Sequence, residues 1–509
     1  MTTLASGTTA SDSVKDGLTR DALTVLQPGF PGTTAPDWLL RRLGEGLASV
    51  GLFGRNIASL EQLSSLTAQL RSERDDVLVA IDEEGGDVTR LEARTGSSFP
   101  GNHALGAVDD VDLTRAVAHE LGRRLAECGV NLNWAPSADV NSNPSNPVIG
   151  VRSFGADPEL VARHTAAYVT GLQSAGVAAC TKHFPGHGDT AVDSHHALPR
   201  IDAEPTVLEQ RELLPFRAAI AAGTRAVMSA HILVPTLDPD HPATLSLRVL
   251  TDLLRGRLGY DGLIVTDGME MQAIAATYGI ERGSVLAIAA GADAICVGGG
   301  LADDETVRRL RDALVGAVRS GELPEERLAE AAERVRGLAQ WTASGAAAAS
   351  EPAPASAGGV TRVDVGLVAA RRALTVTGTD DFTPLTEAPY VALLTPVANI
   401  AVGDETPWGV GAELVRLLPG TETGGFAGED VGDDVLNAAG ARRIVVVVRD
   451  EHRHPWMAAT LDTLLAARPD TVVVEMGVPQ APPRGALHIA THGAARVCGQ
   501  AAAEVVAGA

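Results

Sequence analysis

The stretch TKHFPGHGDTAVDSHHALP, residues 181–199, gathers Lys182, His183, His187, Asp189, Asp193, His195 and His196 into one segment. Four of the chain's 13 histidines fall inside it. Gly186 and Gly188 give the segment the freedom to move over a site. Three readings compete. It is a polar surface loop whose histidines are incidental. Or it holds a metal through His183, His187, Asp193 and His195, although the spacing fits no strong zinc signature and Lys182 would repel a cation. Or it performs acid/base chemistry, with Asp193 orienting His195 and stabilising its protonated form; an imidazole of ordinary pKa about 6.5 both gives and takes a proton near neutrality.

Other segments offer matching partners. In GLIVTDGMEM, 262–271, Asp267 ends an apolar run, and burying a carboxylate there is costly without purpose. It is either a nucleophile for a sugar carbon or the cap of the next helix. In AIDEEGGDVTRL, 80–91, Asp82 again follows an apolar run, and Gly85–Gly86 allow close backbone approach; it is a ligand for sugar hydroxyls or part of an acidic turn. In NPVIGVRSFG, 146–155, Arg152 is a fixed cation that could bind hydroxyls or a carboxylate.

These residues need a scaffold. Apolar runs at 23–30, 50–56, 77–86, 130–141, 177–188, 225–232, 262–271 and 292–299 alternate with amphipathic helical patterns. One helix is expected over 157–176, capped by Asp157 with Pro158 at its first position and ended by Gly176. Another, over 205–223, contains Pro215 and should kink or break. Eight strand–helix units predict an α/β fold, a TIM-like (β/α)8 barrel, with an open doubly wound sheet as the competing topology. Arg55–Asn56, Asp82–Glu84, Asp139, Lys182–His183, His231 and Asp267 all fall where apolar runs end, and barrel enzymes place their chemistry at the C-terminal ends of the strands. Residues 343–359, ASGAAAASEPAPASAGG, read as an Ala/Pro/Ser linker. It separates a barrel over 1–342 from a smaller layered α/β domain over 360–509, with strands expected at 391–397, 443–450 and 471–477. The GVG at 409–411 lacks the third glycine of a nucleotide loop and reads as a turn.

The composition narrows the partners. A net charge of -23 repels phosphate backbones, so nucleic acid and anionic membranes are not expected. No run approaches the roughly 20 apolar residues that span a bilayer. The N-terminal segment, polar and without a basic start, gives no sign of a signal peptide, so a cytoplasmic location is expected. Cys128, Cys180, Cys296 and Cys498 form no CxxC pair and should be small buried residues rather than a disulfide framework.

Together, KHFPGHG (182–188) followed by DSH (193–195), DEEGG (82–86), IGVRSFG (149–155), MSAH (228–231) and TDGMEM (266–271) resemble family 3 glycoside hydrolases, specifically the N-acetyl-β-glucosaminidase subgroup. The resemblance covers nearly all of the first domain. It implies that Asp267 is the nucleophile of a retaining mechanism, and that His195 with Asp193 forms the acid/base dyad. It implies that Asp82, Arg152, Lys182 and His183 bind the terminal sugar's hydroxyls, with His231 lining the same pocket. It implies a small carbohydrate substrate, exo removal of GlcNAc from substrates such as muropeptides, and no metal or cofactor. Inorganic phosphate is a possible second acceptor, because a neutral histidine base repels it less than a carboxylate would; hydrolysis is the expected outcome. A non-catalytic sugar-binding protein would lack the nucleophile or the dyad. Two departures stand out: Glu83 where many relatives have Gln, and Asp87 where many have Arg. They bear on what lies beyond the first sugar.

Overall fold

The computed structural model describes residues 10–509 except 195–196, 302, 345–364, 379, 381 and 397–405. His195 and all but the first two residues of the expected linker lie outside the described residues. Eight parallel strands appear at the eight expected runs, β2 starting one residue early: β1 (Leu26–Pro28), β2 (Ser49–Leu52), β3 (Leu78–Ile81), β4 (Leu132–Asn133), β5 (Ala178–Phe184), β6 (Ala226–Ser229), β7 (Leu263–Thr266) and β8 (Ile295–Val297). β2 to β7 pair in chain order, and β1 pairs with β8. A bridge between Val265 and Ala294 joins β7 to β8, and Ser49 Oγ donates to Leu26 O, 3.1 Å, across β1 and β2. This ring is the (β/α)8 topology, not the open sheet.

The period-two alternation of strands sorts the side chains. Small residues such as Ala80, Ala178, Cys180, Ala226 and Ala294 fill the lumen with Leu78, Leu132 and Leu263, while Val50, Val79, Ile81, Val227 and Ile264 face the surrounding helices. A narrow lumen filled by alanines needs few aromatic residues, which fits an aromatic content of 3%. Val335, Leu338 and Ala339 of the helix Glu325–Ala343 close the N-terminal end. The opposite end is left to the loops.

The helix Pro158–Ser174 begins as expected, with Asp157 accepting from the Glu159 amide at 3.0 Å. Gly171 lets it press against the helix Val111–Glu127: a Cβ there would lie 2.2 Å from Arg115 O. The expected break near Pro215 is a π-helical turn at Leu208–Glu212, between helical segments Pro205–Val207 and Leu213–Ala221. The wider turn accommodates a proline that cannot donate to the preceding turn.

A second six-stranded sheet has β9 (Thr375–Thr377), β10 (Tyr390–Leu394), β11 (Glu422–Phe426), β12 (Ile444–Val448), β13 (Val472–Glu475) and β14 (Leu487–Ala490) in the order β11-β10-β12-β13-β14-β9. All pairs are parallel except β14 with β9. Gly409 has φ +102° and forms a turn before the helix Gly411–Leu417. This α/β domain packs on the barrel through polar pairs. Arg372 meets Asp110 at 2.8 Å, Arg496 Nη2 donates to Ser98 Oγ at 2.6 Å, and His103 stacks on His492 with centroids 5.3 Å apart. The four cysteines are free and buried. No described helix is long and apolar enough to cross a membrane.

Candidate active site

At the C-terminal end of the barrel a cavity of about 440 Å³ is lined by Asp82, Arg90, Arg152, Lys182, His183, His187, Ser194, Asp267 and Glu270, with Phe53, Trp134, Met228 and Met271 as apolar wall. Small-molecule sites span about 300–1,000 Å³. The chain thus brings Asp82, Arg152, Lys182, His183 and Asp267 to one cavity from four strand–loop units, those of β3, β4, β5 and β7.

Each group is aimed by its own loop. After β3, Gly85 and Gly86 take φ of +77° and +63°, and a bridge from Gly85 to Val88 folds the loop back. Arg90 thereby returns to within 3.4 Å of Asp82. On β5, Lys182 and His183 are neighbours that a regular strand would point to opposite faces. A register irregularity between Thr181 and Phe184 puts both at the cavity. Lys182 Nζ lies 2.5 Å from Asp82 Oδ1 and 2.6 Å from Glu84 Oε1. Arg152 grips Glu84 with both ends of its fork, Nη2 to Oε1 at 2.6 Å and Nε to Oε2 at 3.0 Å.

Glu84, Arg152 and Lys182 are buried, and Asp82 is partly exposed. Burial alone would favour a neutral Glu84, but Arg152 and Lys182 overcome it and hold the carboxyl well below the usual carboxylate range. The same pairings outweigh the burial of Lys182 and Arg152 and keep both firmly cationic.

Asp139, fully buried after β4, organises rather than lines. It accepts from the His183 amide (3.2 Å), the His187 amide (2.7 Å) and Ser137 Oγ (2.9 Å), and meets His183 Nδ1 at 2.7 Å. Asn146 Nδ2 donates to His187 O at 2.9 Å, while its Oδ1 accepts from the Val148 and Ile149 amides, tying the arginine-bearing loop to the histidine-bearing one. His187 meets Thr190 Oγ1 at 2.9 Å and Ser194 Oγ at 3.4 Å. Burial lowers its pKa to about 4, so it stays neutral. Among the described residues no group of three or more His, Cys, Asp or Glu could hold a metal.

Asp267 follows β7. Its Oδ1 accepts from the Gly268 amide at 2.8 Å. It does not cap the next helix, which starts at Gln272 behind Met271. His231 is fully buried and absent from the cavity wall. Its Nδ1 meets Thr244 Oγ1 at 2.8 Å and its Nε2 meets Gly268 O at 3.0 Å, so it backs the Asp267–Gly268 peptide. Ser194 lines the Asp267 end of the cavity, its O accepting from the Ala273 amide at 3.4 Å, and Asp193 O accepts from the Ala197 amide at 3.2 Å.

Arg90 and Glu270 are wall residues that the sequence did not single out, and Glu84 was marked only as a polar strand end, without a role. Glu84 and Arg90 share the glycine-turned loop with Asp82, and that turn was their signal. Glu270 Oε1 accepts from the Gly298 amide at 2.9 Å and the Gly299 amide, fixing the loop after β8.

Neither Glu83 nor Asp87 is part of the cavity wall. Asp87 pairs with Arg449 of the second domain. Glu83 turns inward and accepts from the Arg90 amide (2.6 Å) and the Leu91 amide (2.9 Å). Burial raises its pKa to about 7 against those amides. A carboxyl whose folded pKa exceeds its unfolded value holds its extra proton only below that folded pKa. Stability therefore falls as pH rises from the ordinary glutamate range through about 7. Glu83→Gln keeps an acceptor for both amides and removes the charge. It should be more stable than wild type at pH 8, on the order of 1–3 kcal/mol, and converge with it at pH 5. Equal thermal midpoints at both pH values would contradict this.

Residues 37–338 match the model of the glycosyl hydrolase family 3 N-terminal domain. The chain is similar to beta-hexosaminidase A of Pseudoalteromonas piscicida, 36% identical over 56% of this chain and 52% of that one, so the match spans about half of that relative's length. It is 38% identical to a beta-hexosaminidase of Chromobacterium violaceum, over 57% of this chain and 80% of that one. A solved family 3 beta-N-acetylglucosaminidase from a Paenibacillus species superposes with a TM-score of 0.84 at 36% identity, covering 96% of both chains.

Proposed function

Because the chain belongs to glycoside hydrolase family 3, we propose that it is a retaining exo-β-N-acetylglucosaminidase that removes terminal GlcNAc from β-glycosides such as muropeptides. The observation that carries this reading is the position of Asp267, aimed by the Gly268 amide into the cavity that Asp82, Arg152, Lys182 and His183 also line. The names borne by the relatives support the acetamido sugar.

In the first step a carboxylate oxygen of Asp267 attacks the anomeric carbon while His195, held by Asp193, gives its proton to the leaving oxygen. A glycosyl ester forms and the aglycone departs as an alcohol. His195, now neutral, takes a proton from water as the water oxygen attacks the same carbon, and Asp267 leaves as a carboxylate. Asp82, Arg152, Lys182 and His183 bind the hydroxyls of the terminal ring. Glu84 keeps the two cations charged and in place.

Product analysis with an aryl N-acetyl-β-glucosaminide, with and without millimolar phosphate, tests the reading. The expected product is free GlcNAc at a rate that phosphate does not change. GlcNAc 1-phosphate, formed at a rate that rises with phosphate, would replace the hydrolase by a phosphorylase using the same residues.

A further inference from the structure

The loop after β3 presents Asp82, Glu84 and Arg90 toward the cavity side, but its midpoint faces the other way. Asp87 is almost fully buried, and both of its partners come from the second domain. Arg449, just past β12, pairs with it, and the Ala494 amide, just past β14, donates to its Oδ1 at 2.7 Å. The Arg449 guanidinium lies over the Trp408 ring at 5.8 Å, and the His103–His492 stack lies beside the same junction. Within the loop, Gly86 is pressed so closely on Gly101 that a Cβ would lie 2.4 Å from its Cα. The loop's own backbone is tied down by the Gly86 amide to Phe99 O at 2.9 Å. Its return limb, which brings Arg90 to Asp82, runs directly from the clamped residue.

We infer that the second domain positions the sugar-binding loop, with the Asp87–Arg449 pair and the Ala494 amide clamping residues 82–91 in the geometry that aims Asp82 and Arg90. This rests on the reading of the cavity as a sugar site. Removing one member of a buried pair leaves the other charge uncompensated, and the loop then moves to hydrate it. The charge at 87 thus answers to a partner in the second domain rather than to the substrate.

The test uses the full chain carrying Arg449→Met, Asp87→Asn, both together, or Arg449→Lys. Hydrogen exchange of the 82–91 amides is read beside kcat and KM for an aryl N-acetyl-β-glucosaminide. Each single loss should speed exchange in 82–91 and raise KM roughly tenfold, with kcat within about twofold, because binding groups are misaimed while the reacting residues are untouched. The double variant should be no worse than the worse single one, and Arg449→Lys should recover most of the wild-type KM. Wild-type exchange in 82–91 in either single variant overturns the clamp. So does a fall in kcat at unchanged KM, the mark of a smaller folded fraction. A wild-type chain without glycosidase activity would instead defeat the proposed function, and the exchange data would still decide the clamp.

Discussion

Asp267→Ala yields a folded chain that has lost roughly 10⁴-fold or more of its turnover of aryl N-acetyl-β-glucosaminides. The chemistry demands an effect of this size, because the carboxylate forms the covalent ester through which both steps pass, and water offered directly to the sugar has no comparable orientation. Folding is spared for a local reason. The backbone bond from Gly268, the next residue along, is lost, while His231 and Thr244 still hold the peptide from behind. Measuring kcat together with the thermal midpoint separates the two effects. Turnover near wild type would remove Asp267 from the mechanism; a collapsed midpoint would make its role structural.

Glu84→Gln should damage both binding and stability. The wild-type cluster sets Glu84 and Asp82 against Lys182 and Arg152 inside a nearly water-free wall. A neutral amide at 84 leaves two buried cations with one nearby carboxylate, and breaking a buried network in this way costs about 3–5 kcal/mol. For a domain of this size that is a fall in thermal midpoint of roughly 5–10 °C. KM should rise, since Lys182 and Arg152 lose the group that holds them. The pH dependence has a definite sign. The folded carboxyl of Glu84 lies below its ordinary value, so its contribution is present above the ordinary glutamate range and is lost as pH falls through the folded pKa. The gap between wild type and variant should therefore be widest at neutral pH and close in strong acid. A gap that does not change with pH would show that packing, not charge, was removed.

The strands of the barrel were readable because each is a short apolar run ending in polar residues, and the parallel sheet demands that pattern. In the second domain β10, β12 and β13 were equally plain, whereas β9, β11 and β14 escaped. β9 is three residues of half-exposed edge, β11 (ETGGF) carries two glycines on an exposed edge, and β14 (LHIA) is short with a histidine within it. None offers a run of branched apolar residues. At the site, Asp82, Lys182, His183, Arg152 and Asp267 were visible as polar residues in unexpected places. The supporting roles of Asp139, Asn146 and Glu84 were not, because a buried carboxylate that orients other loops reveals its partners only once those loops are folded together. The contacts of His231 were hidden for the same reason. The sequence marks it as a strand-end polar residue, and only the folded chain shows that Thr244 and Gly268 pack against it.

Asp87 carries the same lesson further. Read along the chain, it is a reversed charge beside a sugar-binding loop; in space it is one half of a contact with Arg449, far away in sequence. Local pattern reports which groups are costly to bury, and only tertiary structure reports what compensates them.

The most direct test of the account is to trap the glycosyl-enzyme. A ring-fluorinated N-acetyl-β-glucosaminyl fluoride, which slows the second step more than the first, is incubated with the full chain and the digest is mapped by mass spectrometry. The account predicts one added sugar, on the peptide that contains Asp267 and at that carboxylate. An adduct on another carboxylate, or a substrate turned over with inversion and no adduct, would contradict it.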